Sequence, residues 1–373
     1  MTMKVLAIFC LTAALSPAFF SQAAAVDTTV LRNEHGVELH VIQTGAIVQK
    51  LIVPDAEGRM GDIVAGFNDL AHYDNNTYSP YFGAVIGRVA NRIGDATFVL
   101  DGKRYHIPAN DHQNALHGGK SGWSVKTWNM TEVDSDEGQA VLLTYISPNG
   151  DEGFPGEVHA TVKYTLTESN EVLIDFEATS DAPTPINMAQ HSYFNLDVPG
   201  TNKTILDHDV FINGSYVTPV NELLIPTGGF EAVDGTPYSF EVVDSIGSRL
   251  FEIDSDPVGY DVNYVLPELA ATVSSPASGR VMDLLTQAPG MQFYTGNQLN
   301  GSVIGKNYQA YPQYGMFVME TQDFPNFVNE PSFPACVLRP GGVYKYRTVW
   351  QFSTLAAASP PAQPAVSVSS IGN

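Results

Sequence analysis

The stretch from Glu157 to Ser180, EVHATVKYTL followed by TESN and EVLIDFEATS, decides the fold class. Val158, Ala160, Val162, Tyr164 and Leu166 are apolar, while His159, Thr161, Lys163 and Thr165 between them are polar. Successive strand side chains point to opposite faces, so this period of two describes a half-buried strand. Val172, Ile174, Phe176 and Ala178 repeat the pattern, and Glu168, Ser169 and Asn170 supply the turn of a hairpin.

The same pattern recurs in both directions from there. Upstream, Ala96, Phe98 and Leu100 precede Asp101-Gly102, a pair that tolerates the positive φ of a tight turn, and Tyr105 and Ile107 follow. Downstream, Tyr344, Tyr346, Thr348, Trp350 and Phe352 share one parity, with Lys345 and Arg347 on the other. No helical stripe longer than about three turns stands out. The 32 glycines and 24 prolines divide the chain into many short strands. The expectation is an all-β protein, a large antiparallel β-sandwich forming one domain over residues 26–354.

The ends read differently. Lys4 precedes an apolar run from Val5 to Phe20, and Ala23, Ala24 and Ala25 follow, which is the pattern of an export signal spanning residues 1–25. Pro17 interrupts that run, which is shorter than the ~20 residues of a membrane-spanning helix. A secreted protein is expected, extracellular or periplasmic, with no membrane attachment after cleavage. The tail from Leu355 to Asn373 is rich in Ala, Pro and Ser and is expected to be disordered.

Removal of the signal takes Cys10 with it and leaves Cys336 alone, so no intrachain disulfide can form. Cys336 lies in the apolar stretch Phe333 to Leu338, which suits a buried inert thiol better than a nucleophile. The net charge of −22 becomes −23 when Lys4 is lost. That charge repels nucleic acid and phosphorylated ligands and favours a neutral small molecule. Sequons beginning at Asn75, Asn129, Asn202, Asn213 and Asn300 could accept N-glycans in a eukaryotic secretory pathway.

Chemistry concentrates in three polar clusters set among aromatic residues and glycines. The first is GRVANRI from Gly87, continued by NALHGG from Asn114 to Gly119. Its His117 stands before two glycines whose backbone could approach a ligand closely, although a turn histidine would read the same way. The second is QHSYFNL from Gln190, in which His191 titrates near neutrality among stacking and hydrogen-bonding neighbours. The third is ETQDFP from Glu320, where a carboxylate closes an apolar strand from Tyr314 to Met319. Desolvation there would raise its pKa toward that of a useful base. Two histidines and a glutamate could also ligate zinc, but no paired-cysteine or H-x-x-x-H spacing accompanies them, so no metal or other cofactor is expected.

Together with DEGFPG from Asp151, TPIN from Thr184, TPVNELLIPTG from Thr218, QFYTGN from Gln292, ETQDFPN from Glu320 and LRPGG from Leu338, these clusters make the sequence resemble the aldose 1-epimerases, or galactose mutarotases, over residues 28–354. The resemblance implies that family's β-sandwich, a supersandwich with the sugar in an open cleft, and a free aldose as substrate. It implies that Glu320 is the base that takes the anomeric hydroxyl proton and His191 the acid that protonates the ring oxygen. It further implies that Asn91, Arg92, His117, Asp261 and Gln292 hold the sugar. An anionic Glu320 would then favour an imidazolium at His191. Phe293 and Trp123 are aromatic candidates for sugar stacking. One departure stands at Val262, where the family more often has His after the Asp, which bears on the hydrogen bonding expected around Asp261 and on the preference among sugars.

Three other functions fit less well. A sugar sensor that has lost turnover would not need both His191 and Glu320, and a hexose-phosphate epimerase conflicts with the acidic balance. A glycosidase would need a carboxylate pair across the bond.

Overall fold

The computed structural model describes residues 28–73, 79–199, 204–267 and 269–355. Residues 1–25, most of the 355–373 tail, Asn75 and Asn202 lie outside them. Among the described residues there is no α-helix, only short 3-10 turns between strands, so the all-β expectation is met.

Three antiparallel sheets carry the architecture. One has four strands, running in order from Thr28–Arg32 to Met60–Asp62. A nine-stranded sheet is centred on Val158–Leu166, Glu171–Ser180, Tyr344–Thr354 and Arg280–Thr286. A six-stranded sheet orders Tyr193–Phe194, Phe317–Gln322, Gly290–Tyr294, Asp261–Val265, Tyr216–Val217 and Glu231–Ala232.

The hairpin read from 157–180 forms with Val162 opposite Phe176 and Tyr164 opposite Ile174. The Thr167 hydroxyl accepts the amides of Ser169 and Glu171, which tightens the turn, and Asn170 takes the left-handed φ of 61° that closes it. Asp101 and Gly102 likewise both have positive φ between paired strands Thr97–Leu100 and Lys103–His106.

One continuous hydrophobic core draws side chains from Leu31 to Phe352. Phe176, fully buried, stacks on Tyr346 at 4.7 Å within the nine-stranded sheet. Phe194 of the six-stranded sheet meets Trp350 edge-on at 5.0 Å, which joins the two sheets face to face. Each fully buried side chain of this size contributes about 1.5–3 kcal/mol.

The six-stranded sheet therefore has two unlike faces. Phe317, Met319, Phe293, Val262 and Phe194 point into the core. By the period of two, Glu320, Gln322, Gln292, Asp261 and Asn263 point the other way. Two smaller apolar clusters, one around Phe82 and Val318 and one around Phe98 and Phe324, flank that polar patch.

Candidate active site

The register of the six-stranded sheet puts Glu320 opposite Gln292, and Gln292 opposite Asn263, so one row of polar side chains crosses three strands. Glu320 is central in Phe317–Gln322 and 2% exposed, not the end of a strand over 314–319 as the sequence suggested. The apolar run hid the strand's true extent because both of its faces are covered at Phe317 and Val318.

Two loops bring the remaining groups over this row. Arg92–Ile93 pairs with Ala115–Leu116, and the His117 amide donates to the Asn91 carbonyl at 3.0 Å. His191 arrives on Ala189–His191, paired with Ala84–Ile86. Asn91 and His117 both hold positive φ, 61° and 51°, a conformation that costs about 1–3 kcal/mol for residues with a side chain and concentrates at functional sites.

All seven residues expected at the site form one connected network. Gln292 donates through Nε2 to Asp261 Oδ1 at 2.6 Å and accepts at Oε1 from Asn91 Nδ2 at 3.1 Å. That pair of bonds fixes the orientation of the Gln292 amide. The Arg92 backbone amide donates to Asn91 Oδ1 at 2.8 Å, and its Nε pairs with Asp111 at 2.8 Å. His117 Nδ1 accepts the Asn91 amide at 3.2 Å, which leaves the ring proton of the neutral form on Nε2. Glu320 lies between the imidazoles, 3.9 Å from His117 Nδ1 and 3.8 Å from His191 Nε2.

Burial governs the proton affinities here. Desolvation pushes the Glu320 carboxyl up to about 8; nearby Asp261 adds to the rise and Arg92 opposes it. Desolvation brings the His191 imidazole down to about 4, and holds His117 well below its ordinary value with help from His191 and Arg92. Asp261 is raised by burial, against the pull of Arg92 and the Gln292 bond. Burial thus disfavours the charged form of both groups, the carboxylate of Glu320 and the imidazolium of His191. Desolvation opposes the carboxylate facing an imidazolium that the resemblance implies, while their mutual attraction favours it. The buried Glu320 Oε1 and His191 Nδ1 have no hydrogen-bond partner in the protein, which leaves polar atoms available to a ligand.

Other expectations also change. A Cβ at Gly118 would sit 2.0 Å from the Gly87 carbonyl oxygen, and one at Gly119 2.5 Å from Glu152. Those glycines thus admit the protein's own backbone and side chains, not a ligand. Trp123 packs beneath Gly87 and Phe293 faces the core, so neither stacks on a sugar. Val262 is buried in that core too, on the sheet face away from Asp261, so the departure there alters packing and not the bonds of Asp261. Cys336 is half-buried beside Asp323, and burial pushes its thiol up, as an inert cysteine requires.

Several site residues escaped the sequence reading. The Tyr81 ring lies 4.7 Å from His117 and 5.7 Å from His191, on a backbone with φ 64°. Tyr193, by contrast, belongs to the stacking neighbours read in QHSYFNL, and it stacks on His191 at 5.2 Å. Gln322 donates to Asn263 at 3.1 Å, and its place two residues beyond Glu320 was the available signal. Tyr81 offered no such signal, because a left-handed loop aims it.

His117, His191 and Glu320 offer ligand atoms within 4.8 Å of one another, a set that could hold zinc. The Nδ1 lone pair of His117 is already engaged by the Asn91 amide, so a metal on that side would have to displace it.

A family model described as Aldose 1-epimerase matches residues 27–351. The chain is 39% identical to a galactose mutarotase of Rattus norvegicus, over 89% of this chain and 96% of that one. It is 40% identical to a galactose mutarotase of Homo sapiens over 85% and 91%, and 31% identical to an aldose 1-epimerase of Escherichia coli over 90% and 98%. Among solved structures, an aldose epimerase homologue from C. elegans superimposes with a TM-score of 0.80 at 26% identity, covering 88% of this chain and 99% of the other. A galactose 1-epimerase from Lactobacillus acidophilus gives 0.76 at 26% identity, over 88% and 94%.

Proposed function

We propose that this chain, which belongs to the aldose 1-epimerase family, performs its reaction with the buried pair Glu320 and His191. The activity is the interconversion of the α and β anomers of an aldose, which makes the protein an isomerase. The observation that carries the assignment of roles is a carboxyl and an imidazole 3.8 Å apart, buried, with oppositely shifted proton affinities.

With an aldohexose bound, Glu320 takes the proton of the anomeric hydroxyl while His191 delivers one to the ring oxygen, and the bond between C1 and that oxygen breaks. The pair is then protonated carboxyl and neutral imidazole, the uncharged forms that burial favours. Rotation about C1–C2 presents the other face of the aldehyde. Reclosure returns the proton from Glu320 to the carbonyl oxygen and the ring hydroxyl proton to His191. Each turnover moves protons within the pair and changes no net charge in the buried site, which avoids repeated solvation costs. Asn91, Arg92, His117, Asp261 and Gln292 hold the sugar, with His117 donating from Nε2; charge-assisted bonds from Arg92 and Asp261 fix its orientation.

Polarimetry of freshly dissolved α-glucose and α-galactose tests this reading. Wild type should accelerate the approach to equilibrium, and Glu320→Gln and His191→Asn should each lose about 10²-fold or more. Sugar binding without acceleration would indicate a sensor instead.

Export is part of the proposal. The family match begins at residue 27, directly after the signal-like segment 1–25. An export signal places the enzyme where it equilibrates anomers outside the cytosol, for uptake or for another secreted enzyme. N-terminal sequencing of the protein from its native source should read from near Val26, and a solely cytosolic protein would refute it. Asn129 and Asn300 are exposed and so accessible to N-glycans; a gel shift on glycosidase treatment checks their use.

A further inference from the structure

The TPIN motif from Thr184 to Asn187 is prominent in the sequence but supplies no group to the reacting centre. Its last residue, Asn187, is fully buried and lies four positions before His191. The main chain of Asn187 joins the loop that leads to Asn91 and Arg92. Its amide donates to the Arg88 carbonyl at 3.0 Å, and its carbonyl accepts the Ala90 amide at 2.8 Å. The side chain joins a third segment. Oδ1 accepts the Asp323 amide at 2.9 Å, and Nδ2 donates to the Asp323 carbonyl at 3.2 Å and, at a longer 3.5 Å, to that of Ala90. Asp323 is the first residue past the strand Phe317–Gln322 and lies three positions beyond Glu320. One residue thus ties together the segments that carry Asn91 and Arg92, His191, and Glu320.

The tie falls where the sheet leaves a gap. One edge of the Glu320 strand is paired with Gly290–Tyr294, from Tyr294 opposite Val318 to Gly290 opposite Gln322. Along the other edge only Phe317 and Val318 have ladder partners among the described residues, in Phe194 and Tyr193. Past Val318 that edge lies beside Ala189–His191, and no ladder fixes the spacing of Glu320 from His191. Two side chains bridge it instead. Asn187 offers Asp323 the donor and acceptor that a neighbouring strand would otherwise supply. The Tyr346 hydroxyl lies 2.5 Å from the Met188 carbonyl and 3.2 Å from that of Thr321, next to Glu320. The flanking positions have anchors of their own. The Met188 amide donates to the Tyr344 hydroxyl at 3.0 Å, and the Arg88 guanidinium is held by Ser147, Pro155, Gly156 and Thr184. Removing the Asn187 side chain therefore frees the end of the Glu320 strand and leaves the main-chain bonds to Arg88 and Ala90 in place.

We propose that Asn187 is a positioning residue for anomer interconversion, and that its side chain, seconded by Tyr346, sets the spacing of Glu320 from His191. The inference rests on the roles given above to that pair. Proton transfer depends on alignment, and a misplacement of about 1 Å caused by a remote substitution costs about 10²-fold. Binding of the sugar draws on Asn91 and Arg92, whose loop the Asn187 main chain still holds when the side chain is gone. The signature is therefore a loss in kcat with KM nearly unchanged.

The test measures kcat and KM separately for glucose and galactose, by polarimetry, in wild type, Asn187→Ala, Tyr346→Phe and Leu143→Ala, each well below its melting temperature. Leu143 is fully buried in the nine-stranded sheet, where it pairs with Met130 and Val162, so its truncation is a control for lost stability alone. Asn187→Ala should lower kcat about 10- to 100-fold and leave KM within about threefold. Tyr346→Phe keeps the ring that stacks on Phe176 and should lower kcat in the same sense. It decides the matter if Asn187→Ala does not fold, and a wild-type kcat there would then overturn the proposal. Leu143→Ala should melt early yet keep kcat within about twofold. The proposal is also overturned if Asn187→Ala lowers the melting temperature alone, if it raises KM without lowering kcat, or if Leu143→Ala loses as much kcat as it does. A wild type idle on both sugars would instead refute the mutarotase reading. In that case NMR of the His191 imidazole, identified by its loss in His191→Asn, decides the positioning role. Resonances displaced in Asn187→Ala and not in Leu143→Ala support it, and unchanged resonances overturn it.

Discussion

His191 and Glu320 share a buried site with Nε2 3.8 Å from Oε2, and burial drives their proton affinities past each other, the carboxyl to about 8 and the imidazole to about 4. Between those values the pair holds one proton. The arrangement competent to start ring opening, carboxylate with imidazolium, has that same proton count, so it is reached by moving a proton and not by gaining one. The kcat/KM of the free enzyme should therefore be bell-shaped, with limbs near pH 4 and pH 8. Groups at their ordinary values would instead end activity above about pH 6.5, where an unperturbed imidazolium is lost. An alkaline limb found at pH 6.5 would show that the site is more solvated than its burial implies.

The alkaline limb has an identifiable neighbour. Asp261 raises the Glu320 affinity and Arg92 lowers it. Asp261→Asn should move the limb to lower pH, and Arg92→Gln should move it to higher pH. Both should also weaken sugar binding, by roughly 1.5–3 kcal/mol for a lost charge-assisted bond, or about 10- to 150-fold in kcat/KM. The opposite displacement of the two limbs separates electrostatic tuning from a general loss of structure, which would move both the same way. Measured pH profiles of the two variants check this.

Stability should carry the mirror image of this tuning. Below the ordinary carboxylate value Glu320 is protonated in both folded and unfolded chains. As pH rises from about 4.5 toward 8, only the unfolded chain ionises there, so the fold loses stability across that window. Glu320→Gln has no such loss. Wild type and variant should melt together near pH 4.5, and the variant should melt progressively higher up to about pH 8. Each tenfold change in proton affinity between the folded and unfolded chains is worth about 1.4 kcal/mol, so the difference reaches several kcal/mol. The depressed His191 acts in the opposite sense, destabilising as pH falls from 6.5 toward 4, but it is common to both proteins and cancels. Calorimetric melting at pH 4.5, 6 and 8 reads the trend, and parallel curves would refute it.

What the sequence disclosed followed from local physics. The hairpin at Val158–Ser180 was legible because one face of each strand is buried and the turn residues lie between them. Glu320 was placed at a strand end because Phe317 and Val318 are covered on both sides, which erases the alternation that would have revealed the strand's continuation. Tyr81 was invisible, since its position depends on a left-handed backbone and on rings from His117 and His191 far along the chain. His117, His191 and Glu320 stood out in their own polar clusters, but the roles of all seven expected site residues came from motif resemblance rather than spacing, for they sit on separate segments that only the completed fold brings together. Local pattern reports strands and turns; it does not report which loop closes over which row of a sheet.

Gly118 shows how such a long-range constraint can be tested. The sequence suggested that it gives a ligand close access to the backbone, whereas its α-carbon faces the Gly87 carbonyl so closely that a Cβ would lie 2.0 Å from the oxygen. Its φ of 84° is itself strained for any residue with a side chain. Gly118→Ala meets both penalties, about 1–3 kcal/mol for the backbone and a similar amount for the overlap, so a loss of roughly 2–6 kcal/mol is expected. The Gly87 carbonyl also accepts the Trp123 amide at 3.1 Å, so displacing it disturbs the loop that carries Asn91 and Arg92. His117 precedes the substitution and should move with it. Activity should therefore fall even in the fraction that remains folded, with KM rising more than kcat falls, because the displaced groups hold the sugar and do not transfer its protons. Denaturant titration and steady-state kinetics on the same preparation check both parts. A variant with wild-type stability but weakened sugar binding would restore the reading in which the glycine serves the ligand.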